Sequence, residues 1–187
     1  MEVSIGVSAR HVHLCEKDFK ILFSSDCELT KKSELKQKGQ YACNEQVTIK
    51  GPKGSIERVR ILGPLRDKTQ VEISKTDAFT LGINPPVRNS GYLKDASLIT
   101  IIGPCAQIEV NSAIIATRHL HITSKEAKAY GLLNNEEIAI RTSGEKSGIL
   151  NNVSVIINDA SSYEVHLDTD DANAFLLKTG DNVEIIK

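Results

Sequence analysis

One seven-residue stretch occurs twice in the chain, as SARHVHL at residues 8–14 and as ATRHLHI at residues 116–122. Each copy carries the pattern R-H-Φ-H, where Φ is apolar, and together they hold four of the five histidines. Side chains two positions apart in a strand point to one face, so each H-x-H pair presents two imidazoles side by side. Imidazole nitrogen is a preferred zinc ligand. The repeat therefore indicates a metal site with ligands from distant parts of the chain.

The sequence around the two copies has the pattern of a duplicated, strand-rich domain. His119 follows His11 by 108 residues, and in both places a β-like run precedes the motif and a short helix follows it. Runs of Val and Ile and alternating apolar residues predict strands at 3–8, 45–50, 56–62, 69–74, 98–102, 107–116, 137–141, 153–157, 164–167 and 182–186. Capping signals predict helices at 16–23, at 76–81, from Thr123 to Gly131, and from Asp168 or Thr169 to Lys178. The Lys-rich segment 30–40 has the composition of a linker. This pattern predicts a mainly β fold with short α-helices, built as small β-barrels.

Composition excludes several classes of protein. The chain has 187 residues, 40% of them hydrophobic, and a formal net charge of −1. This balance fits a soluble globular protein and gives no basic footprint for nucleic acid. Its apolar runs are too short to span a membrane. The four cysteines show no C-x-x-C spacing, so reduced thiols in a cytoplasmic protein are the expected state.

Four further residues are candidates for the same chemistry. His166 is the only histidine left to complete a three-ligand site, although a hydrogen-bonded core histidine is the more common case. Glu72 lies between Val71 and Ile73 in an apolar strand, where an unpaired charge is costly. Arg66 precedes that strand and can grip an anion with two hydrogen bonds, and Arg88 lies in a second turn-rich loop. A surface ion pair explains Glu72 and Arg66 about equally well, and a plain surface turn is the alternative for Arg88.

Five motifs, in order along the whole chain, resemble the PduL-type phosphate acyltransferase (phosphate propanoyltransferase) family. They are SARHVHL at 8–14, GPLR at 63–66 with QVEIS at 70–74, PPVRNSG at 85–91, ATRHLH at 116–121, and HLDTD at 166–170 with ANA at 172–174.

The resemblance implies two similar β-barrels capped by helices, one at 10–116 and the other at 117–187 plus the N-terminal strand 1–9. It also implies a two-zinc site between them and an exchange of phosphate and coenzyme A on a short acyl group, acetyl or propanoyl. Arg66 becomes the catalytic, phosphate-binding arginine, and Arg88 is a second candidate substrate contact. The metal ligands implied are His11, His13, Glu72, His119, His121 and His166. How these ligands divide between the two ions is left open.

The chain departs from the family pattern at Cys15, where Ser or Thr is usual, so the helix there has a weaker cap. If the strand runs on past His13, the Cys15 thiol lies on the ligand face and adds an extra or oxidisable ligand. Only seven residues precede Ser8, so we expect no microcompartment-targeting extension and a cytoplasmic location. The expected partners are acyl-CoA or CoA and phosphate, with no nucleic acid or membrane; a homodimer and an acyl kinase acting in the same metabolism are further expectations.

Two other functions fit the same residues. One is a dinuclear zinc hydrolase acting on a thioester or phosphate ester, which would release CoA without needing phosphate. The other is a non-catalytic, zinc-stabilised module, which would tolerate the loss of Arg66.

Overall fold

The structure is a computed structural model, and it describes residues 1–186. The strands are β1 Glu2–Ser8, β2 His11–His13, β3 Lys31–Glu34, β4 Tyr41–Lys50, β5 Ser55–Gly63, β6 Gln70–Glu72, β7 Val87–Arg88, β8 Ser97–Ile102, β9 Gln107–Ala116, β10 His119–Ile122, β11 Glu137–Arg141, β12 Ile149–Ile157, β13 Glu164–Asp168 and β14 Asn182–Ile186. The helices are α1 Glu16–Phe23, α2 Lys75–Leu81, α3 Ser124–Tyr130 and α4 Thr169–Ala174.

The chain divides into two compact units. One comprises Arg10–Ala116 and is called the first barrel; the other joins Met1–Ala9 to the chain from Thr117 onward and is called the second barrel. Each unit contains a closed ring of six strands, which confirms the predicted mainly β class with small barrels. None of the helices within residues 1–186 has the length and apolar character needed to cross a membrane.

The first barrel closes through the ring β9, β6, β2, β5, β4 and β8, in which β8 returns to β9. The pairs β2/β5 and β6/β9 are parallel, and the other four are antiparallel. Strands β3 and β7 pair with β4 and β9 outside the ring. Fully buried aliphatic residues, among them Val12, Ile49, Ile61, Val71 and Ile101, fill the interior.

The second barrel has the same strand order, β1, β13, β10, β12, β11 and β14. Its parallel pairs, β1/β13 and β10/β12, occupy the places of β9/β6 and β2/β5 in the first barrel. Ile5, Leu120, Ile140, Val155 and Val165 fill its interior. The R-H-Φ-H repeat in the sequence therefore corresponds to a repeat of the whole barrel topology.

Local sequence explains most of the helix ends. Helix α2 begins with a capping box between Ser74 and Asp77, and α3 begins with one between Thr123 and Glu126. Gly131 ends α3 with a positive φ of 66°, a conformation that glycine adopts readily. Helix α1 covers the predicted 16–23, and its N-cap residue Cys15 makes no side-chain capping bond.

Two predictions about local structure are wrong. Helix α4 ends at Ala174 rather than at Lys178, because Leu176 takes a left-handed φ of 56° and the Leu177 amide turns back to the Ala172 carbonyl. Phe175 and Leu177 then pack against the core of the second barrel. The 30–40 segment is not a plain linker, since it contains β3, whose four residues are all exposed and which pairs with β4 through the backbone.

Candidate metal centres

Two groups of side chains in the described residues have the composition and spacing of a metal site. The ligand atoms of the first group, His11, His13 and Glu72, lie within 4.8 Å of one another, and so do those of the second group. We call these groups the first and second triads; the second consists of His119, His121 and His166. The structure thus places the six candidate ligands in two separate groups of three, one group within each barrel.

Strand pairing explains both triads. Val12 and Leu120 lie in the two barrel cores, so alternation along the strand directs the flanking histidines to the outer face of each barrel wall. On the neighbouring antiparallel strand, Glu72 lies opposite His11, and His166 lies opposite His119. Each triad is therefore an H-x-H pair plus one residue from the adjacent strand.

Hydrogen bonds to carbonyl oxygens set the tautomer of two of the imidazoles. His13 Nδ1 lies 3.3 Å from the Leu62 carbonyl oxygen, and His119 Nδ1 lies 2.8 Å from the Thr117 carbonyl oxygen. A carbonyl can only accept, so each Nδ1 carries the proton and each Nε2 keeps its lone pair. That arrangement is the one by which metal-bound histidines are usually oriented.

Burial keeps two of the histidines neutral, which is the form that binds metal. Burial, with His11 and Arg66 nearby, lowers the pKa of His13 to about 3. Burial, with His119 and His166 nearby, lowers the pKa of His121 to about 3. His121 Nδ1 is buried and has no hydrogen-bond partner among residues 1–186, so this nitrogen is suited to an ion.

The carboxylate of Glu72 is held in place by two polar neighbours. Gln70 Nε2 donates to Glu72 Oε1 at 2.6 Å, and the Ser90 hydroxyl donates to the same oxygen at 3.0 Å. The other oxygen, Oε2, faces His11 Nε2 at 3.5 Å. Burial raises the pKa of Glu72, but His11, His13 and the Ser90 hydroxyl outweigh it, so the pKa lies below its ordinary value. Glu72 is therefore an anchored anion with one oxygen directed at the histidines.

Arg66 lies beside the first triad. Its Nη1 donates to Ser90 Oγ at 3.1 Å, and burial lowers its pKa, against the charge of Glu72. Ser90 thus accepts from the arginine and donates to Glu72, and it links the two. The guanidinium has further N–H donors for an anion.

Arg88 and Cys15 belong to neither triad. The Arg88 guanidinium donates to the Lys94 and Val87 carbonyl oxygens and pairs with Asp95 at 3.5 Å, within its own loop. Strand β2 ends at His13, and Cys15 beyond it forms an isolated β-bridge with Arg66. Cys15 Sγ lies 3.5 Å from Thr69 Oγ1, whose hydroxyl donates to Asp18 Oδ2 at 2.6 Å, and it is not part of the first triad.

The arginines of the two R-H-Φ-H motifs have a structural role that we did not predict from the sequence. Arg10 Nε donates to Asp77 Oδ1 at 2.9 Å, and Arg118 Nε donates to Asp171 Oδ2 at 2.8 Å. Both aspartates are the third residue of a helix, five positions after Glu72 and His166. Each pair ties the H-x-H strand to the helix that follows the third ligand, and this repeated spacing was available in the sequence.

Comparison with known proteins gives a family. The family model described as phosphate propanoyltransferase matches residues 4–178. A phosphate propanoyltransferase of Rhodopseudomonas palustris is 46% identical over 187 residues, which cover all of this chain and 83% of that protein. One from Thermotoga maritima is 48% identical, with 99% and 89% covered, and one from Priestia megaterium is 49% identical over 180 residues, with 96% and 83% covered. Taken with the two triads and the adjoining arginine, these matches show that the chain belongs to the phosphate propanoyltransferase family of acyltransferases.

Proposed function

We propose that this phosphate acyltransferase interconverts acyl-CoA and phosphate with acyl phosphate and CoA, for a short acyl group such as acetyl or propanoyl, and that two zinc ions serve the reaction. The observation that carries the proposal is the link from Arg66 through Ser90 to Glu72. It provides an anion-binding group directly beside a candidate metal ligand set.

The proposed role of Arg66 is to bind and orient phosphate. Its half-buried guanidinium carries a fixed positive charge, and one of its N–H groups is already fixed by Ser90. The remaining donors can hold phosphate with charge-assisted hydrogen bonds. Holding the nucleophile next to the acyl carbon replaces a bimolecular encounter with a positioned one, and this is worth several kcal/mol in general.

The proposed role of the triads is to hold the ions. The donor set of two imidazoles with a carboxylate, or of three imidazoles, is typical of zinc. Zinc, when bound, supplies a Lewis acid for the thioester carbonyl and a partner for the departing thiolate. Gln70 and Ser90 keep Glu72 in its place, and the Gly91 amide in turn donates to Gln70 Oε1 at 2.7 Å. These hydrogen bonds limit the movement of the Glu72 carboxylate when substrates enter.

We further propose direct transfer without an acyl-enzyme. A phosphate oxygen forms the new bond to the carbonyl carbon, the C–S bond breaks, and CoA leaves as the thiolate. The four histidines of the H-x-H pairs and His166 are assigned to metal, so none is assigned as the base that a cysteine or serine nucleophile needs. Ping-pong kinetics, or an acyl group trapped on Cys15, would contradict this.

Metal analysis of purified protein, coupled to thiol release from acetyl-CoA and propanoyl-CoA with and without phosphate, tests the proposal. We expect about two zinc ions per chain and CoA release that saturates with phosphate. Release that ignores phosphate would support the hydrolase, and zinc without release would support the non-catalytic module. The homodimer, the acyl kinase partner and the cytoplasmic location stay predictions.

A further inference from the structure

A buried carboxylate, that of Glu164, adjoins the second triad and is not one of its three ligands. Glu164 is 4% exposed and precedes His166 by two residues on β13, so both side chains point to one face of the strand. Its Oε2 lies 2.9 Å from His166 Nε2. Across to β10, Glu164 lies opposite His121 as His166 lies opposite His119. The four side chains therefore form a two-by-two block on the barrel wall.

The neighbouring strand leaves space for this carboxylate. Gly6 on β1 is paired with His166, and a Cβ added there would lie 2.7 Å from Glu164 Oε2 and 3.1 Å from His166 Cδ2. The φ of Gly6 is not positive, so its backbone does not require glycine. The corresponding position of the first barrel, beside Glu72, is Ile114. As these side chains lie, the Glu164–His166 pair occupies the space that a Cβ at position 6 would need.

The first barrel has a matching arrangement. Gln70 precedes Glu72 by two residues, lies opposite His13, and donates to the Glu72 carboxylate at 2.6 Å. In both barrels a buried polar side chain two positions before the third ligand thus bonds to that ligand. Gln70 is an amide that donates to a carboxylate. Glu164 is an acid, which suits its partner because an imidazole N–H needs an acceptor.

We propose that Glu164 is the positioning residue for His166, and that Gly6 is glycine to make room for it. As the acceptor of a hydrogen bond from His166 Nε2–H, the carboxylate fixes the plane of the imidazole and leaves the lone pair on Nδ1 for a cation. Carboxylates placed behind metal-bound histidines have this effect in general. The inference rests on the proposed zinc function of the second triad.

The zinc affinity of the metal-free 187-residue chain tests this directly. A chain with His11→Ala and His13→Ala leaves only the second triad to be titrated with zinc against a chelator. In that background we expect Glu164→Ala to weaken zinc binding by about 10- to 100-fold. Gly6→Ala should weaken it similarly by displacing the carboxylate, and Glu164→Gln, which keeps an acceptor oxygen, should weaken it less. Glu184→Gln, an exposed acid of the same barrel paired with Arg141, is the matched control and should leave affinity unchanged.

The tautomer of His166 is a readout that a merely structural role would not move. In zinc-loaded protein, ¹⁵N-histidine NMR should find the proton of His166 on Nε2. Circular dichroism establishes that each variant is folded; if Glu164→Ala is not, Gly6→Ala and Glu164→Gln carry the test. Unchanged zinc affinity in the folded variants, or a zinc-bound Nε2, would overturn the positioning role alone. Failure of the unmodified chain to bind zinc would instead overturn the proposed function.

Discussion

Replacement of Arg66 by alanine should raise the KM for phosphate and leave the KM for acyl-CoA nearly unchanged. The side chain is a half-buried cation with one N–H fixed by Ser90, so it would meet phosphate with little reorganisation. A hydrogen bond to a charged group contributes about 1.5–3 kcal/mol. This corresponds to a loss of about 10- to 150-fold in kcat/KM for phosphate.

The assay is initial-rate thiol release at varied phosphate and fixed, saturating acyl-CoA. The kcat/KM for phosphate of Arg66→Lys should lie between those of the unmodified protein and Arg66→Ala, since a lysine keeps the charge but loses the planar pair of donors. Arg141→Ala is the matched control, because that arginine is exposed and pairs with Glu184. Metal content is measured in each variant, since Arg66 adjoins Glu72. An unchanged phosphate saturation curve in Arg66→Ala, with zinc retained, would refute the role of this residue.

Three further predictions concern stability and thiol chemistry. Asp77→Ala removes the carboxylate half of the α2 capping box and the partner of Arg10. It should lower the free energy of unfolding in urea by about 2–3 kcal/mol; a loss below about 0.5 kcal/mol would show that these contacts are not stabilising. Cys15→Ser should supply the missing cap of α1, raise stability by about 0.5–1 kcal/mol and keep transferase activity, whereas loss of activity would point to an acyl-cysteine. Burial raises the pKa of Cys43 to about 11, so in native protein at pH 8 this thiol should react with a thiol reagent far more slowly than the exposed Cys27 and Cys105, and equal rates would contradict its burial.

Much of the fold could be predicted from local patterns. Strands β11 and β14 and helix α1 match their predicted bounds, because each has a clear apolar period or a clear start and end. Strand β3 could not be predicted in this way, since Lys31–Glu34 buries no side chain and is held by backbone pairing with β4. The end of α4 depends on where Phe175 and Leu177 pack, which is a tertiary effect.

The candidate site, too, could be predicted only in part from the sequence. Repetition and residue chemistry singled out the histidines, but their grouping depends on register between strands about sixty residues apart, as for His11 and Glu72. Gln70, Ser90 and Glu164 were missed because only cross-strand neighbours give them a role. Gly6 does not have a positive φ, so a reason for glycine at this position can be found only from the side chains beside it.

The central claim is that both triads bind metal and that transfer needs both. Zinc content and phosphate-dependent CoA release should be measured in the unmodified chain, in His11→Ala with His13→Ala, and in His119→Ala with His121→Ala. We expect two ions in the first protein, one in each double variant, and loss of CoA release in both variants. Full transferase activity in either variant, or an unmodified protein that is active without bound metal, would contradict it.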